Sequence, residues 1–123
     1  MKYAICNETF NKGQSFEQVC QCASECGYDA IEVAPFTFGE DVRNLSKEDR
    51  KKIVETAKNY GVEICGIHWC LLTPKGLHIN CKDPEVLAFS KEYYKELIQF
   101  CADLGGKVMV HGSPKQRNWE PGE

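Results

Sequence analysis

Three side chains suited to acid–base or ligand chemistry stand near the ends of short apolar runs. Glu32 lies in the run AIEV, and His68 and His111 end the runs VEICGIH and KVMVH. Proteins use carboxylates and imidazoles to bind hydroxyl groups, ligate metals and move protons near neutral pH. Each residue also has a structural alternative, because Glu32 could pair with a cation and either histidine could be a satisfied core residue. We interpret all three as candidate binding residues.

Two further candidates adjoin these histidines. Trp69 follows His68, and its ring could form an apolar wall over a ligand or pack in the core. Gly112 and Ser113 form a turn in which backbone N–H groups could approach an anion, with charge supplied by Lys115 and Arg117. The alternative for this turn is a solvated loop with two surface cations. We include Trp69 and Ser113 among the predicted binding residues.

The cysteines do not form a recognisable framework. No Cys-x2-Cys pair is present, and we expect the thiols to be reduced and to act mainly as small hydrophobic side chains. Cys22 and Cys26 are one helical turn apart, so half of a metal site at these two residues stays open. The eight cysteines are at positions 6, 20, 22, 26, 65, 70, 81 and 101.

Hydrophobic periodicity predicts alternating strands and helices. The predicted strands are Lys2–Cys6, Ala30–Val33, Val62–Trp69 and Lys107–Val110, and the predicted helices are 15–26, 46–60 and 83–105. Ser15 and Ser46 are suitable N-caps, and Gly27 and Gly61 are suitable helix ends. This order is typical of a parallel α/β sheet, whose apolar strands we expect to be covered on both faces.

Two architectures are compatible with this order: a small doubly wound sheet, or part of a (β/α)8 barrel. The turn after the first strand lacks the G-x-G-x-x-G pattern of dinucleotide-binding folds. Catalytic groups of barrels collect at the carboxyl ends of the strands, where Glu32, His68 and His111 are predicted to lie. We therefore predict one domain, residues 1–123, with about four β/α units of a barrel.

Composition excludes several classes of function. The chain is 42% hydrophobic and 27% charged, which indicates a globular domain rather than a disordered one. Its formal net charge of −3 gives no electrostatic reason to expect nucleic acid as a partner. No segment resembles a signal peptide or a membrane-spanning helix, so we expect a cytoplasmic protein with no membrane partner.

Three stretches carry a resemblance to a known family. The segments YDAIEVAPFTF, GIHWCLLTPKGLHI and CADLGGKVMVHGSPKQRNW resemble the sugar phosphate isomerase/epimerase proteins of the xylose isomerase-like TIM barrel superfamily, which includes tagatose 3-epimerase, hydroxypyruvate isomerase and, more distantly, endonuclease IV. A full barrel takes about 250 residues. The resemblance therefore implies the N-terminal half of such a barrel.

The resemblance also implies a chemistry. Members bind one divalent metal (Mn, Mg, Co or Zn) through carboxylates and a histidine on later strands, and two glutamates act as acid and base on a ketose or hydroxy-carbonyl substrate. This chain lacks those strands, so it contains no catalytic residue of that set. We expect it to be inactive alone, although the family is one of isomerases and epimerases in carbohydrate metabolism.

The predicted binding residues acquire roles by the same resemblance. Glu32, His68, Trp69, His111 and Ser113 would contact a sugar or sugar phosphate, and the two histidines are also candidate metal ligands. Two alternatives remain open: a non-catalytic sugar-phosphate binding module and an endonuclease IV-like DNA-repair protein. Half a barrel has two open strand edges and an inner face that we expect to be apolar. We therefore also predict either a homo-oligomer formed through those edges or helices and tails folded over them.

Overall fold

The computed structural model describes residues 1–119, in which four strands alternate with three α-helices. The elements are β1 (Ala4–Cys6), α1 (Phe16–Glu25), β2 (Ala30–Val33), α2 (Lys47–Asn59), β3 (Glu63–His68), α3 (Pro84–Asp103) and β4 (Val108–Val110). One-turn 3-10 helices follow β1, β2 and β4. The order predicted from periodicity is confirmed. β2 has the predicted bounds, and the other three strands are shorter than predicted by one or two residues at one or both ends.

Local sequence signals explain where the helices begin. Ser15 and Ser46 cap α1 and α2, each in a capping box whose other member is Gln18 or Asp49. Asp83 caps α3 by accepting the first two free backbone N–H groups, and a proline occupies the first helical position. Within residues 1–119, no helix combines the length and apolar character needed to cross a bilayer.

The four strands form one parallel sheet in the order β1-β2-β3-β4. Cys6 pairs with Glu32, Glu32 with Gly66, and His68 with Val110, with a register shift after Ile31. Because paired residues in a parallel sheet point to the same face, Cys6, Glu32 and His68 lie on one face of the sheet, near the carboxyl ends of their strands. The predicted α/β class is therefore confirmed.

All three helices cover the opposite face of the sheet. The side chains of Ile31, Val33 and Ile67 are fully buried there, against Leu97 and Phe100 of α3. We call the uncovered side the inner face; it carries Cys6, Glu32, His68, Val108 and Val110.

The expectation that both faces of the strands would be covered is wrong for the described residues. Val108 and Val110 of β4 are 55% and 44% exposed, since residues 1–119 place helices on one face only. The expectation of an apolar inner face is also wrong. Glu32 and His68 stand there beside valines, so this face is partly polar.

Gly66 permits the close approach of β3 and β4. A Cβ atom at this position would collide with the carbonyl oxygen of Val108, which is backbone and cannot rotate away. The pairing that places His68 beside Val110 therefore depends on the absence of a side chain two residues earlier.

We predict that Gly66→Ala lowers the free energy of unfolding by at least about 2 kcal/mol, because the strands must separate to admit the methyl group. Gly112→Ala is the matched control, since its nearest contact would be Val110 Cγ1 at 3.9 Å, an ordinary packing distance. Chemical denaturation followed by circular dichroism measures both. Equal stability of the two variants would contradict the assigned register.

His111 lies on the helix-covered side of the sheet. It follows Val110, which faces inward, so strand alternation turns the imidazole towards α3. There its ring centroid is 5.8 Å from that of Tyr94. Both ring nitrogens are buried without a hydrogen-bond partner, and burial, followed by the charge of Arg117, lowers the pKa of His111 below its ordinary value of 6.5.

This lowered pKa predicts an acid-sensitive contact. The neutral ring is favoured in the folded state, so its contribution to stability is complete above the unfolded pKa and is lost as the pH falls through the lower folded pKa. We expect the Cε1–H resonance of His111, assigned by its disappearance in His111→Gln, to titrate with a midpoint below 6.5 in NMR spectra. A midpoint at or above that value would contradict the described burial.

Candidate functional site

The carboxyl ends of β1, β2 and β3 bring five side chains together, which we call the mouth cluster: Cys6, Glu8, Glu32, His68 and Trp69. Glu8 lies in the one-turn helix Asn7–Thr9 directly after β1. Trp69 follows β3 in the left-handed region of backbone conformation, with a φ of 56°. This turn ends the strand and directs the indole to the same carboxylate that His68 contacts.

Glu8 holds the two aromatic residues in place. Its Oε1 lies 2.7 Å from His68 Nε2 and accepts a hydrogen bond from Trp69 Nε1 at 3.1 Å. Since an ionised carboxylate can only accept, the hydrogen between Glu8 and His68 is carried by Nε2. This contact turns the other ring nitrogen, Nδ1, away from Glu8.

The other ring nitrogen faces the second carboxylate. His68 Nδ1 is 3.5 Å from Glu32 Oε2, and that oxygen accepts a hydrogen bond from Cys6 Sγ at 3.2 Å. His68 Nδ1 and Glu8 Oε2 are buried and have no hydrogen-bond partner in the described residues. An unsatisfied buried polar atom costs about 1–3 kcal/mol, so a ligand that supplied the missing contacts would be stabilised here.

Cys6 is a neutral member of this cluster. Burial, its hydrogen bond to Glu32 and the charges of Glu32 and Glu8 raise the pKa of its thiol to about 12. The thiolate is the nucleophilic form of cysteine. Cys6 in the metal-free protein is therefore a hydrogen-bond donor rather than a nucleophile.

A cavity of about 560 Å³ opens beside Glu8. It lies among the loop after β1, the first turns of α1 and the segment after β2, and its walls combine aromatic rings with the polar groups of Asn7 and Thr37. The aromatic lining residues are Phe10, Phe16, Phe36 and Phe38. Its volume falls in the range of small-molecule sites.

The structure brings three of the five predicted binding residues together, namely Glu32, His68 and Trp69. It does not bring His111 or Ser113 to them. His111 points to α3 because of strand alternation, and Ser113 is fully buried, where its hydroxyl oxygen accepts the backbone N–H of Leu71 at 3.2 Å. The predicted anion approach at Ser113 therefore meets a hydroxyl group that is occupied in holding the loop after β3.

Glu8 and Cys6 were not predicted as site residues. Their positions in the sequence were the only signal that could have identified them. Cys6 ends β1, and Glu8 follows two residues later, just beyond the carboxyl end of that strand. A three-residue strand gives too short a pattern to show which way these side chains point.

One group in residues 1–119 has the composition and spacing of a metal site: Cys6, Glu8 and His68, whose ligand atoms all lie within 4.8 Å of one another. The hypothesis of a half site at Cys22 and Cys26 gains no third ligand from the same residues. A thiol, an imidazole and a carboxylate suit zinc, whereas manganese and magnesium prefer oxygen ligands. The described residues therefore do not fit a manganese or magnesium centre.

Comparison with solved structures finds sugar 3-epimerases whose fold is similar to that of this chain. The chain superposes on D-psicose 3-epimerase in the presence of D-fructose with a TM-score of 0.71 at 20% identity, and on D-psicose 3-epimerase with D-tagatose from Clostridium cellulolyticum H10 with 0.68 at 16%. The chain superposes on D-allulose 3-epimerase from Methylomonas sp. in complex with D-allulose with a TM-score of 0.62 at 17% identity. The matches cover 89% of this chain but 36%, 36% and 35% of those chains, so the likeness shows the fold and the chain spans about a third of their length.

Sequence comparison places the chain in a family. No curated protein matches it significantly. The family model of the xylose isomerase-like TIM barrel, however, matches residues 20–123, which is most of the chain. Together with four parallel strands and three helices that superpose on sugar 3-epimerases, this match shows that the chain belongs to the xylose isomerase-like TIM barrel family.

Proposed function

We propose that the chain supplies the N-terminal half of the substrate-binding mouth of a sugar or sugar-phosphate isomerase or epimerase. The observation that carries this proposal is the mouth cluster, in which two carboxylates and an imidazole meet at the carboxyl ends of parallel strands and leave buried polar atoms unsatisfied. Barrel enzymes bind their substrates at the carboxyl ends of their strands.

The chemistry of the cluster suits a hydroxylated ligand. Sugar hydroxyl groups both donate and accept hydrogen bonds, and Glu8 Oε2 and His68 Nδ1 are buried without a partner in the described residues. Trp69 and the phenylalanine rings of the adjoining cavity offer apolar surface to the C–H faces of a sugar. The related structures that contain D-fructose, D-tagatose and D-allulose support a ketose as the ligand class.

We do not assign proton transfer to this half. A divalent ion supplies polarisation of carbonyl and hydroxyl oxygens in such isomerisations, and a positioned carboxylate then moves the proton on the adjacent carbon. By family resemblance, the ligands of that ion lie on later strands, and the thiol-containing group at Cys6 does not replace a manganese or magnesium centre. We propose that residues 1–123 bind and orient the sugar without turning it over.

A DNA ligand fits this site less well. Glu8 and Glu32 place two carboxylates at the mouth, and both would repel a phosphate backbone. The net charge of −3 adds to that repulsion. The endonuclease-like alternative therefore receives no support from the cluster.

We expect D-fructose or D-allulose to shift the indole N–H signal of Trp69 in ¹H–¹⁵N NMR spectra, because the ligand competes for the Glu8 carboxylate that this group contacts. The chain has a second tryptophan, Trp119, which is 65% exposed and serves as an internal control. Glu32→Gln should weaken binding about tenfold, as expected when one hydrogen bond to a charged group is lost.

Glu63→Gln is the matched variant for this experiment. Glu63 lies at the opposite end of β3, is 73% exposed in its side chain and pairs only with Lys2 among the described residues. It should bind sugar as the parent chain does. Equal weakening by both variants, or a shift of the Trp119 signal alone, would contradict sugar binding at the mouth.

We also propose that the chain self-associates through the open edges of its sheet. β1 and β4 have no neighbour on one side within residues 1–119, and Tyr3, Val108 and Val110 expose apolar surface beside them. Unpaired strand edges with apolar flanks are stabilised by pairing with another strand.

Sedimentation velocity tests this association. We expect a concentration-dependent dimer or larger assembly, and Val110→Lys should shift it towards monomer because the charge would be buried in the contact. Ile98→Lys is the matched control, since Ile98 is similarly exposed, at 52%, but lies on α3 rather than on a strand. A monodisperse monomer for the parent chain would contradict pairing through the edges.

A further inference from the structure

We infer that the mouth cluster is a zinc site complete within these first three strands, with Cys6 Sγ, the Glu8 carboxylate and His68 Nε2 as ligands and Glu32 as the carboxylate that orients the imidazole. This inference does not rest on the proposed sugar binding. It also differs from the carboxylate-rich metal centre that the family resemblance implies, because it uses a thiol and needs no later strand.

The distances are close to those of an assembled site. The three ligand atoms lie within 4.8 Å of one another, and Glu8 and His68 are already 2.7 Å apart. Ligands on a tetrahedral zinc ion at bond lengths of about 2.0–2.3 Å stand roughly 3.3–3.8 Å from each other. Side-chain movements of about 1 Å would therefore bring all three into coordination.

Zinc at this site would give partners to the two buried atoms that lack them. With Nε2 on the metal, the ring carries its proton on Nδ1, which lies 3.5 Å from Glu32 Oε2. That proton would complete a carboxylate–histidine–zinc arrangement of the kind that fixes histidine ligands in metal sites. Glu8 Oε2, the second unsatisfied atom, is a further oxygen available to the ion.

The same environment sets the proton balance. Two carboxylates with low solvent access attract a cation, and their side chains are 25% and 23% exposed. Zinc binds cysteine as the thiolate, so coordination by Cys6 must release the thiol proton to solvent.

Three protein ligands leave a fourth coordination position free. A closed structural zinc site has four protein ligands, whereas a three-ligand site holds water or a ligand oxygen at the fourth. A site of three protein ligands is thus open in the sense that zinc enzymes require.

The test is a spectroscopic titration of the chelator-treated chain with Co²⁺, followed by Zn²⁺. We expect one equivalent of Co²⁺ to produce a thiolate-to-cobalt charge-transfer band with tetrahedral ligand-field bands, and Zn²⁺ to remove both. Calorimetry with Zn²⁺ in two buffers of different ionisation enthalpy should report proton release, because cysteine binds zinc as the thiolate. Mg²⁺ should not compete at millimolar concentration.

Three variants decide the assignment. Cys6→Ser should abolish the charge-transfer band, and His68→Gln should weaken zinc binding at least tenfold, whereas Cys26→Ser, at an exposed cysteine, should leave the titration unchanged. Circular dichroism verifies that each variant is folded. Survival of the band in Cys6→Ser, or its loss in Cys26→Ser, would overturn the site.

The two proposals fail separately. Cys6→Ser removes the thiol but keeps the Glu8 contact with Trp69, so a sugar-dependent shift of the Trp69 signal should persist in that variant. Failure of the parent chain to bind zinc, with sugar binding intact, would count against the zinc site alone. Retained zinc binding in the parent chain without any sugar-dependent shift would count against the sugar proposal alone.

Discussion

The hydrogen bond between Glu8 and His68 is the interaction on which the arrangement of the mouth depends. It joins residues 60 positions apart, one just after β1 and the other at the end of β3, across the intervening β2. The His68 side chain is only 10% exposed, so without this partner a buried imidazole would lose most of its hydrogen bonding. The bond also places Glu8 where Trp69 can reach it, and it turns the second ring nitrogen towards Glu32.

The sheet makes this bond possible by dividing its residues between two faces. Ile31 and Ile67 lie on the helix-covered face, where both are completely buried in the apolar core. Because side chains alternate along a strand, their neighbours Glu32 and His68 then lie on the inner face, whatever the free-energy cost of burying polar groups there. Apolar burial on one side thus fixes polar chemistry on the other. Gly66 adds the close strand spacing that keeps His68 in register with β4.

The sequence predicted the scaffold better than the site. Capping residues such as Ser15 and Ser46 act over three or four positions, so the helix starts could be read directly, and Glu32 and His68 could be placed at strand ends from apolar runs. Glu8 could not, since it lies in a one-turn helix after a three-residue strand. His111 was predicted to share the mouth because it ends a similar run. Its orientation depends on the pairing of His68 with Val110, a tertiary register that no local pattern contains.

The charge of the mouth limits what it can bind. Glu8 and Glu32 approach the same imidazole from opposite sides, and the high pKa of Cys6 keeps the thiol from adding a third negative charge. A ligand that donates hydrogen bonds or carries positive charge reduces the electrostatic repulsion between the two carboxylates. A phosphate placed beside them increases that repulsion. A phosphorylated sugar would therefore bind with its hydroxyl groups at the cluster and its phosphate directed away from it. The negative charge of the two carboxylates also favours a cation at the cluster. The electrostatics of this one site therefore suit both sugar hydroxyl groups and a metal ion.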